Sequence, residues 1–339
     1  MGVKKMMVRK AIVIAASMLL VLAFVSTNDE VSRFLAAMKY GEPAITAMRS
    51  AHDESERQRL LAEITGEAEK RRIAPENARI DRVWKAIPGY NGLEVDIDKT
   101  LQEALAAPGV SPIRYFFKEV EPAIQLKDLG PIPIYRGNPN KKMISLMINV
   151  AWGNEYIDFI LSTLKREQVK ATFFLDGSWL KKNPDVAKQI QADGHEMSNH
   201  AYSHPDMKTL GRQAAHSQIA RTEDLLKSVL NVDNKWFAPP SGSYSQATVQ
   251  IAEEQGLKTV LWTIDTIDWQ KPPADTVLRR ISAKLEPGAL ILMHPTATTR
   301  DSIGGIIQTA KARGYAIGTV SETLSSSRVP AAVESEGGF

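Results

Sequence analysis

The chain has 339 residues, 43% of them hydrophobic and 24% charged, with a formal net charge of +3. That length holds one large domain and a smaller one, and the composition is that of a folded protein, not of a fibre or a disordered tract. The absence of cysteine excludes disulfide scaffolds, thiol catalysis and cysteine-based metal centres.

The positive charge belongs to a leader. Lys4, Lys5, Arg9 and Lys10 come first, and the first acid is Asp29. The remainder is close to neutral, so the charge balance gives no reason to expect nucleic acid as a partner. Ala11 to Ser26 is apolar except for Ser17 and Ser26. A basic patch before an apolar run reads as a signal peptide or a membrane anchor over residues 1–27, with the rest of the chain outside the cytoplasm.

Residues 28–78 read as a helical stalk or spacer: Asp53 to Arg72 is strongly charged, with Leu60, Leu61 and Ile64 at helical spacing. Residues 79–130 read as a small α+β accessory domain. Pro88-Gly89-Tyr90-Asn91-Gly92 makes a turn, Asp96 or Asp98 caps a helix through Ala106, and Arg114 to Val120 forms a strand. Residues 131–141, with two prolines and Gly137-Asn138-Pro139-Asn140, read as a linker. The small polar residues 326–339 read as a disordered tail.

Between 142 and 325 short apolar runs alternate with amphipathic helical stretches. The predicted strands are Met143–Val150, Ala171–Leu175, Glu196–Ser198, Lys235–Ala238, Thr259–Thr263, Ala289–Met293 and Ala316–Val320. The fold class is therefore α/β, a distorted (β/α) barrel of about seven parallel strands. Active sites of such folds gather at the C-terminal strand ends. Asn149, Asp176, His200, Ala238, Asp265, Asp268 and His294 all fall at or just past those ends.

Two features carry chemistry. His200 and His204 are four residues apart, a spacing that puts two imidazoles on one face of a helical turn within reach of one metal ion. His294 closes the apolar run Ile291-Leu292-Met293, where an imidazole is costly unless bonded. Asp268, in Trp262-Thr263-Ile264-Asp265-Thr266-Ile267-Asp268-Trp269, would orient it and raise its basicity.

These segments, with Ala171-Thr172-Phe173-Phe174, Phe237-Ala238-Pro239-Pro240-Ser241-Gly242 and Asn199-His200-Ala201-Tyr202-Ser203-His204-Pro205, resemble the polysaccharide deacetylase family, the NodB-homology or carbohydrate esterase 4 group. The resemblance spans about Lys142 to Thr323. The accessory region and Ile148 to Tyr156 look most like its sporulation-associated branch. The resemblance implies hydrolysis of a carbon–nitrogen (non-peptide) bond, releasing acetate from an N-acetylated cell-wall or spore glycan. It implies a divalent metal, usually zinc, held by one aspartate and two histidines. A second aspartate is the general base, a histidine the general acid, and an arginine orients the base. By position His200 and His204 are the metal histidines, His294 is the acid, and Asp268 tunes it.

The same resemblance exposes departures. The family's Thr-Phe-Asp-Asp-Gly-Pro falls on Met147 to Trp152, so the base position is Asn149 and the metal-aspartate position is Val150. The arginine position is Ala238 and the tyrosine position is Ser241. A carboxamide accepts no proton near neutral pH, and losing a general base costs about 10²–10⁴-fold in rate. Zinc is then expected to be weakly held or absent, with Asp176 the candidate surrogate ligand. Trp152, in place of the family's proline, and Ser241 are the candidate substrate contacts. Two functions stay open: a deacetylase-family protein of weak or lost activity, and a non-catalytic glycan-binding or scaffold protein of the cell envelope. A third, an esterase for O-acetyl groups, lacks the same base. The expected partners are a glycan and, through the leader, a membrane. Nothing in the pattern specifies an oligomeric state.

Overall fold

The computed structural model describes residues 44–107 and 109–329, with part of 17–39. The basic leader, most of the apolar run behind it and the tail from residue 330 onward lie outside the described residues. Among the described residues no helix is long and apolar enough to cross a membrane.

Two compact units divide the chain at other places than composition suggests. The first joins the residues up to Ile73 with Leu93–Lys118, and the second joins Ala74–Gly92 with everything from Glu119 onward. In the first unit the helix Ala44–Ala68 buries Leu60 and Ile64 against Val95 and Leu101. The charged stretch read as a stalk thus packs along one apolar stripe. Leu101 belongs to the helix Ile97–Ala106, capped by Asp96, whose side chain accepts from the Lys99 N–H.

The small strands are β1 (Arg79–Asp81), β2 (Lys85–Ile87), β3 (Gly92–Val95) and β4 (Phe117–Val120), pairing β1 with β2 and β3 with β4. The large sheet holds β5 (Met143–Val150), β6 (Thr172–Leu175), β7 (Glu196–Asn199), β8 (Trp236–Phe237), β9 (Lys258–Thr259), β10 (Ile264–Asp265), β11 (Leu290–Met293) and β12 (Ala316–Gly318). Seven run in the order β10-β11-β5-β6-β7-β8-β9, and β12 pairs beside the start of β5. All these pairings are parallel. This is the curled (β/α) barrel that the strand–helix alternation predicts.

β5 explains the centre of the sheet. All eight of its residues are buried, as a strand covered on both faces requires. Ile144, Leu146, Ile148 and Val150 join the apolar layer under the helices, while Met147 packs inward with Phe174, Trp236, Val260 and Leu290.

Three expectations need correction. The run Thr259–Thr263, read as one strand, starts in β9 and ends just before β10, and these two strands form opposite edges of the sheet. The segment 131–141, read as a linker, fills the seam between them. Ile134 is fully buried; its N–H donates to the Thr259 carbonyl and its own carbonyl accepts from Leu261. An unclosed seam would leave backbone groups unmatched, and this segment supplies the partners. Nor is the tail free from residue 326. The Ser326 carbonyl accepts from the Asn91 N–H, the Arg328 guanidinium lies 4.6 Å from the centre of the Tyr90 ring, and Val329 is buried. Lys141, also buried, donates to the carbonyls of Glu322 and Ser325 and fastens the chain just upstream.

Candidate functional site

The C-terminal ends of the sheet strands surround a cleft of about 380 Å³. Asn149, Trp152, His200, His204, Ser241 and His294 line it, together with Ala151, Trp262, Asp265, Trp269 and Leu292. A larger hollow of about 1020 Å³ in the first unit is walled by side chains such as Glu63, Arg71 and Tyr115 and contains no histidine.

His200 follows β7 and is buried. Its Nδ1 is 2.7 Å from the Ala238 carbonyl oxygen. A carbonyl only accepts, so Nδ1 carries the proton and Nε2 keeps the lone pair. Burial pushes the imidazole down to about 3, which keeps it neutral. Asn199 braces the turn, donating to the Ile219 carbonyl and Glu223 and accepting from the Ala201 N–H. Gln218 Oε1 clamps the next residues by accepting from the N–H groups of Tyr202 and Ser203.

The backbone after β7 is not a helical turn, as the spacing suggested. It is an irregular turn with Ala201 and His204 in the left-handed region, at φ 60° and 55°. The two imidazoles still meet, edge to face, with ring centres 5.3 Å apart. His204 is exposed.

His294 stands at the end of β11. Its Nδ1 and its backbone N–H both bond to the fully buried Asp268 carboxylate, at 2.9 and 2.8 Å. The hydroxyls of Thr296 and Thr299 donate to the same carboxylate, at 3.1 and 2.6 Å. Burial alone would raise this carboxyl; the bonds from His294 and Thr299 outweigh it and hold it below the usual carboxylate range.

The rest of the constellation is incomplete. Asn149 is 3% exposed and its Oδ1 has no hydrogen-bond partner. Val150 does not face the cleft; it is buried in the layer that holds Leu175 and Trp179. Ala238 is fully buried and offers the site only its carbonyl. Ser241 sits on the rim in a left-handed conformation, φ 54°.

Asp176 is not the missing ligand. Its Oδ1 accepts from the Trp179 N–H and the Ser178 hydroxyl, capping the helix Gly177–Lys182, and it does not line the cleft. The residue following a strand and opening a helix is well placed to cap, and here that role takes the side chain away from the mouth. The carboxylate that does line the cleft is Asp265, whose Oδ1 accepts from the Ile267 N–H. Its place at a strand end was the available signal, but the split of one predicted strand into two edges hid its direction.

Among the described residues no group of three or more His, Asp or Glu side chains is arranged to hold a metal ion. Two imidazoles beside a carboxamide do not fit a zinc centre of two histidines and a carboxylate.

Trp152 is 47% exposed and its ring lies nearly parallel to that of His294, with centres 6.0 Å apart. Gly153 makes this possible. It has φ 86°, and a Cβ there would collide with the Pro295 carbonyl, so the turn holds the indole against the end of β11. Trp179, by contrast, is buried and donates through Nε1 to Asn154.

Comparison with known proteins gives this site a context. A profile of the polysaccharide deacetylase family matches residues 136–260. The chain is 42% identical to the uncharacterized protein YlxY of Bacillus subtilis over 89% of this chain and 92% of that protein. It is 32% identical to a peptidoglycan-N-acetylglucosamine deacetylase of Bacillus cereus, over 57% of this chain and 72% of that enzyme. A solved structure of a wild-type CE4 family pseudoenzyme from Bacillus anthracis superposes with a TM-score of 0.74 at 46% identity, covering 80% of this chain and 96% of that one. A mutant of the same protein, described as having restored enzymatic activity, superposes equally well at 44% identity, covering 80% and 99%.

Proposed function

This chain belongs to the polysaccharide deacetylase (carbohydrate esterase 4) family, and we propose that it binds an N-acetylated cell-wall glycan at the barrel mouth without hydrolysing it. The observation that carries this reading is the pair Asn149 and Val150. One position holds a carboxamide that cannot act as base, and the other turns a hydrocarbon side chain into the core. The kinship with peptidoglycan deacetylases supports a glycan ligand, and the kinship with a pseudoenzyme supports loss of turnover. Three indoles on the cleft wall (Trp152, Trp262 and Trp269) offer flat apolar faces of the kind pyranose rings cover. In this reading the chain works outside the cytoplasm, tethered or exported by its basic and apolar leader. Its glycan is peptidoglycan or spore cortex, and zinc has no lasting place in the cleft.

A second reading is residual deacetylation, favoured by the intact His294–Asp268 pair. One experiment separates the two. Acetate release from acetylated chitooligosaccharide and from peptidoglycan is followed with zinc or cobalt added, alongside sedimentation with the insoluble glycans. Binding with no acetate above a His294→Ala control is the expected result. Acetate release that disappears in that control would replace the binding reading with the enzymatic one.

A further inference from the structure

We propose that the β1–β2 hairpin is a membrane-contacting wedge, which sets two branched apolar side chains and three cations against a bilayer of anionic lipid. None of its residues lines the cleft, and the proposal does not depend on what the cleft binds.

Arg79-Ile80-Asp81-Arg82-Val83-Trp84-Lys85 turns without glycine. Asp81 Oδ1 accepts from the Val83 and Trp84 N–H groups, at 2.7 and 2.8 Å. Lys85 takes the left-handed conformation, φ 62°, that closes a three-residue hairpin loop. The root is fixed: Ala86 and Ile87 are buried, and the Ala86 N–H donates to the Pro133 carbonyl. Trp84 is half-buried, its ring centre 5.4 Å from the Arg136 guanidinium carbon. On this rigid base Ile80 and Val83 stand 62% and 65% exposed, the most exposed large hydrophobic residues described in the second unit.

Exposed apolar residues alone mean little, since much of any protein surface is apolar. Their setting carries the inference. Charge on an edge strand guards against unwanted pairing, and among the described residues β1 pairs only with β2, which accounts for Arg79 and Asp81. It does not account for Arg82 and Val83, which lie in the turn beyond the ladder. Among the described residues none of Arg79, Arg82 and Lys85 forms an ion pair, and Lys85 Nζ donates to the Arg82 carbonyl at 3.2 Å. The one acid of the hairpin, Asp81, already holds the turn. Three cations against one anion therefore surround two aliphatic side chains.

That combination selects the occupant. Branched aliphatic side chains offer no flat face for a sugar ring. An anionic bilayer meets both halves of the hairpin: phosphate groups take the guanidinium and ammonium heads, and the boundary with the acyl chains takes Ile80 and Val83. The basic and apolar leader, read as an anchor or export signal, would place such a surface within reach.

The test labels the hairpin itself. The chain has no cysteine, so Val83→Cys carries a single environment-sensitive NBD fluorophore, with Ser228→Cys on the exposed face of the helix Arg212–Leu230 as the control. The full chain is mixed with vesicles of phosphatidylcholine alone or with phosphatidylglycerol added. A tether through the leader brings the chain to both kinds of vesicle and shows in sedimentation, whereas the label at 83 reports the hairpin. The expected result is a blue shift at 83 with phosphatidylglycerol, none with phosphatidylcholine, none at 228, and loss of the shift at high salt. Arg82→Gln in the labelled chain is expected to raise the lipid needed for half the shift about 5-fold, the worth of one basic residue at an anionic surface. Ile80→Ser is expected to raise it roughly 5-fold through lost apolar burial. No shift at 83, an equal shift on both lipids, or a shift with isolated peptidoglycan and none with phosphatidylglycerol would overturn the proposal, and each would leave the reading of the cleft untouched.

Discussion

The indole of Trp152 and the imidazole of His294 lie within 6° of parallel, one from the loop after β5 and the other from the end of β11. Asp268 fixes the imidazole from behind and Gly153 fixes the loop that carries the indole. The pair gives the cleft a flat wall.

That wall predicts a binding phenotype. Trp152→Ala is expected to weaken chitotetraose binding roughly 3- to 10-fold, corresponding to about 0.5–1.5 kcal/mol of ring stacking. Trp152→Phe should retain most of the affinity. Fluorescence or calorimetric titration reads both. Equal affinity for wild type and the alanine variant would show that the exposed indole touches no sugar.

The uncharged pair Asn149 and Val150 predicts the effect of adding acids. Asn149→Asp with Val150→Asp supplies two carboxylates, and zinc affinity by equilibrium dialysis is expected to rise at least about 10- to 100-fold over wild type. Acetate release should appear only in the double variant. Val150 packs among Leu175 and Trp179, so an aspartate that stayed there would be an unpaired buried charge. The expected gain in zinc affinity therefore requires the chain at 150 to turn toward the cleft. Tight zinc binding by the wild type would contradict the donor set described above. A mutant of the Bacillus anthracis relative is described as having restored enzymatic activity.

The Asp268 carboxylate predicts an acid sensitivity. Its carboxyl is held below the ordinary range in the folded protein, so its contribution to stability is present above the unfolded value, about 3.9. That contribution is lost as the pH falls through the lower folded value. Asp268→Asn is expected to cost about 1–3 kcal/mol at pH 7, since the amide cannot accept from all four donors. It should also flatten the fall in stability below about pH 4. Thermal melts of both proteins at pH 7 and pH 3 check this, and parallel pH profiles would refute it.

Much of the fold was legible because its signals are local. β5 is a continuous apolar run and the helix Asn154–Arg166 repeats apolar residues at helical spacing, patterns that any covered parallel strand and its helix must show. The 260s were harder. Thr259–Thr263 reads as one strand, yet β9 and β10 on either side of its middle lie on opposite edges of the sheet, because closing a barrel depends on which distant strand supplies hydrogen bonds. Ile134 shows the same limit. Flanked by prolines it reads as linker, and only its contacts with Thr259 and Leu261 make it part of the wall.

By itself the sequence determined the parallel strand–helix architecture, the family, and the uncharged pair Asn149-Val150 at the end of β5, since each is a matter of residue identity and short-range order. Tertiary structure decided what those residues do. It turned Val150 into the core and committed Asp176 to capping a helix. It brought Asp265 to the cleft, left Asn149 Oδ1 without a hydrogen-bond partner and laid Trp152 along His294. Each of these depends on contacts between segments distant in sequence, and no periodicity within one segment encodes where another segment's side chain will lie.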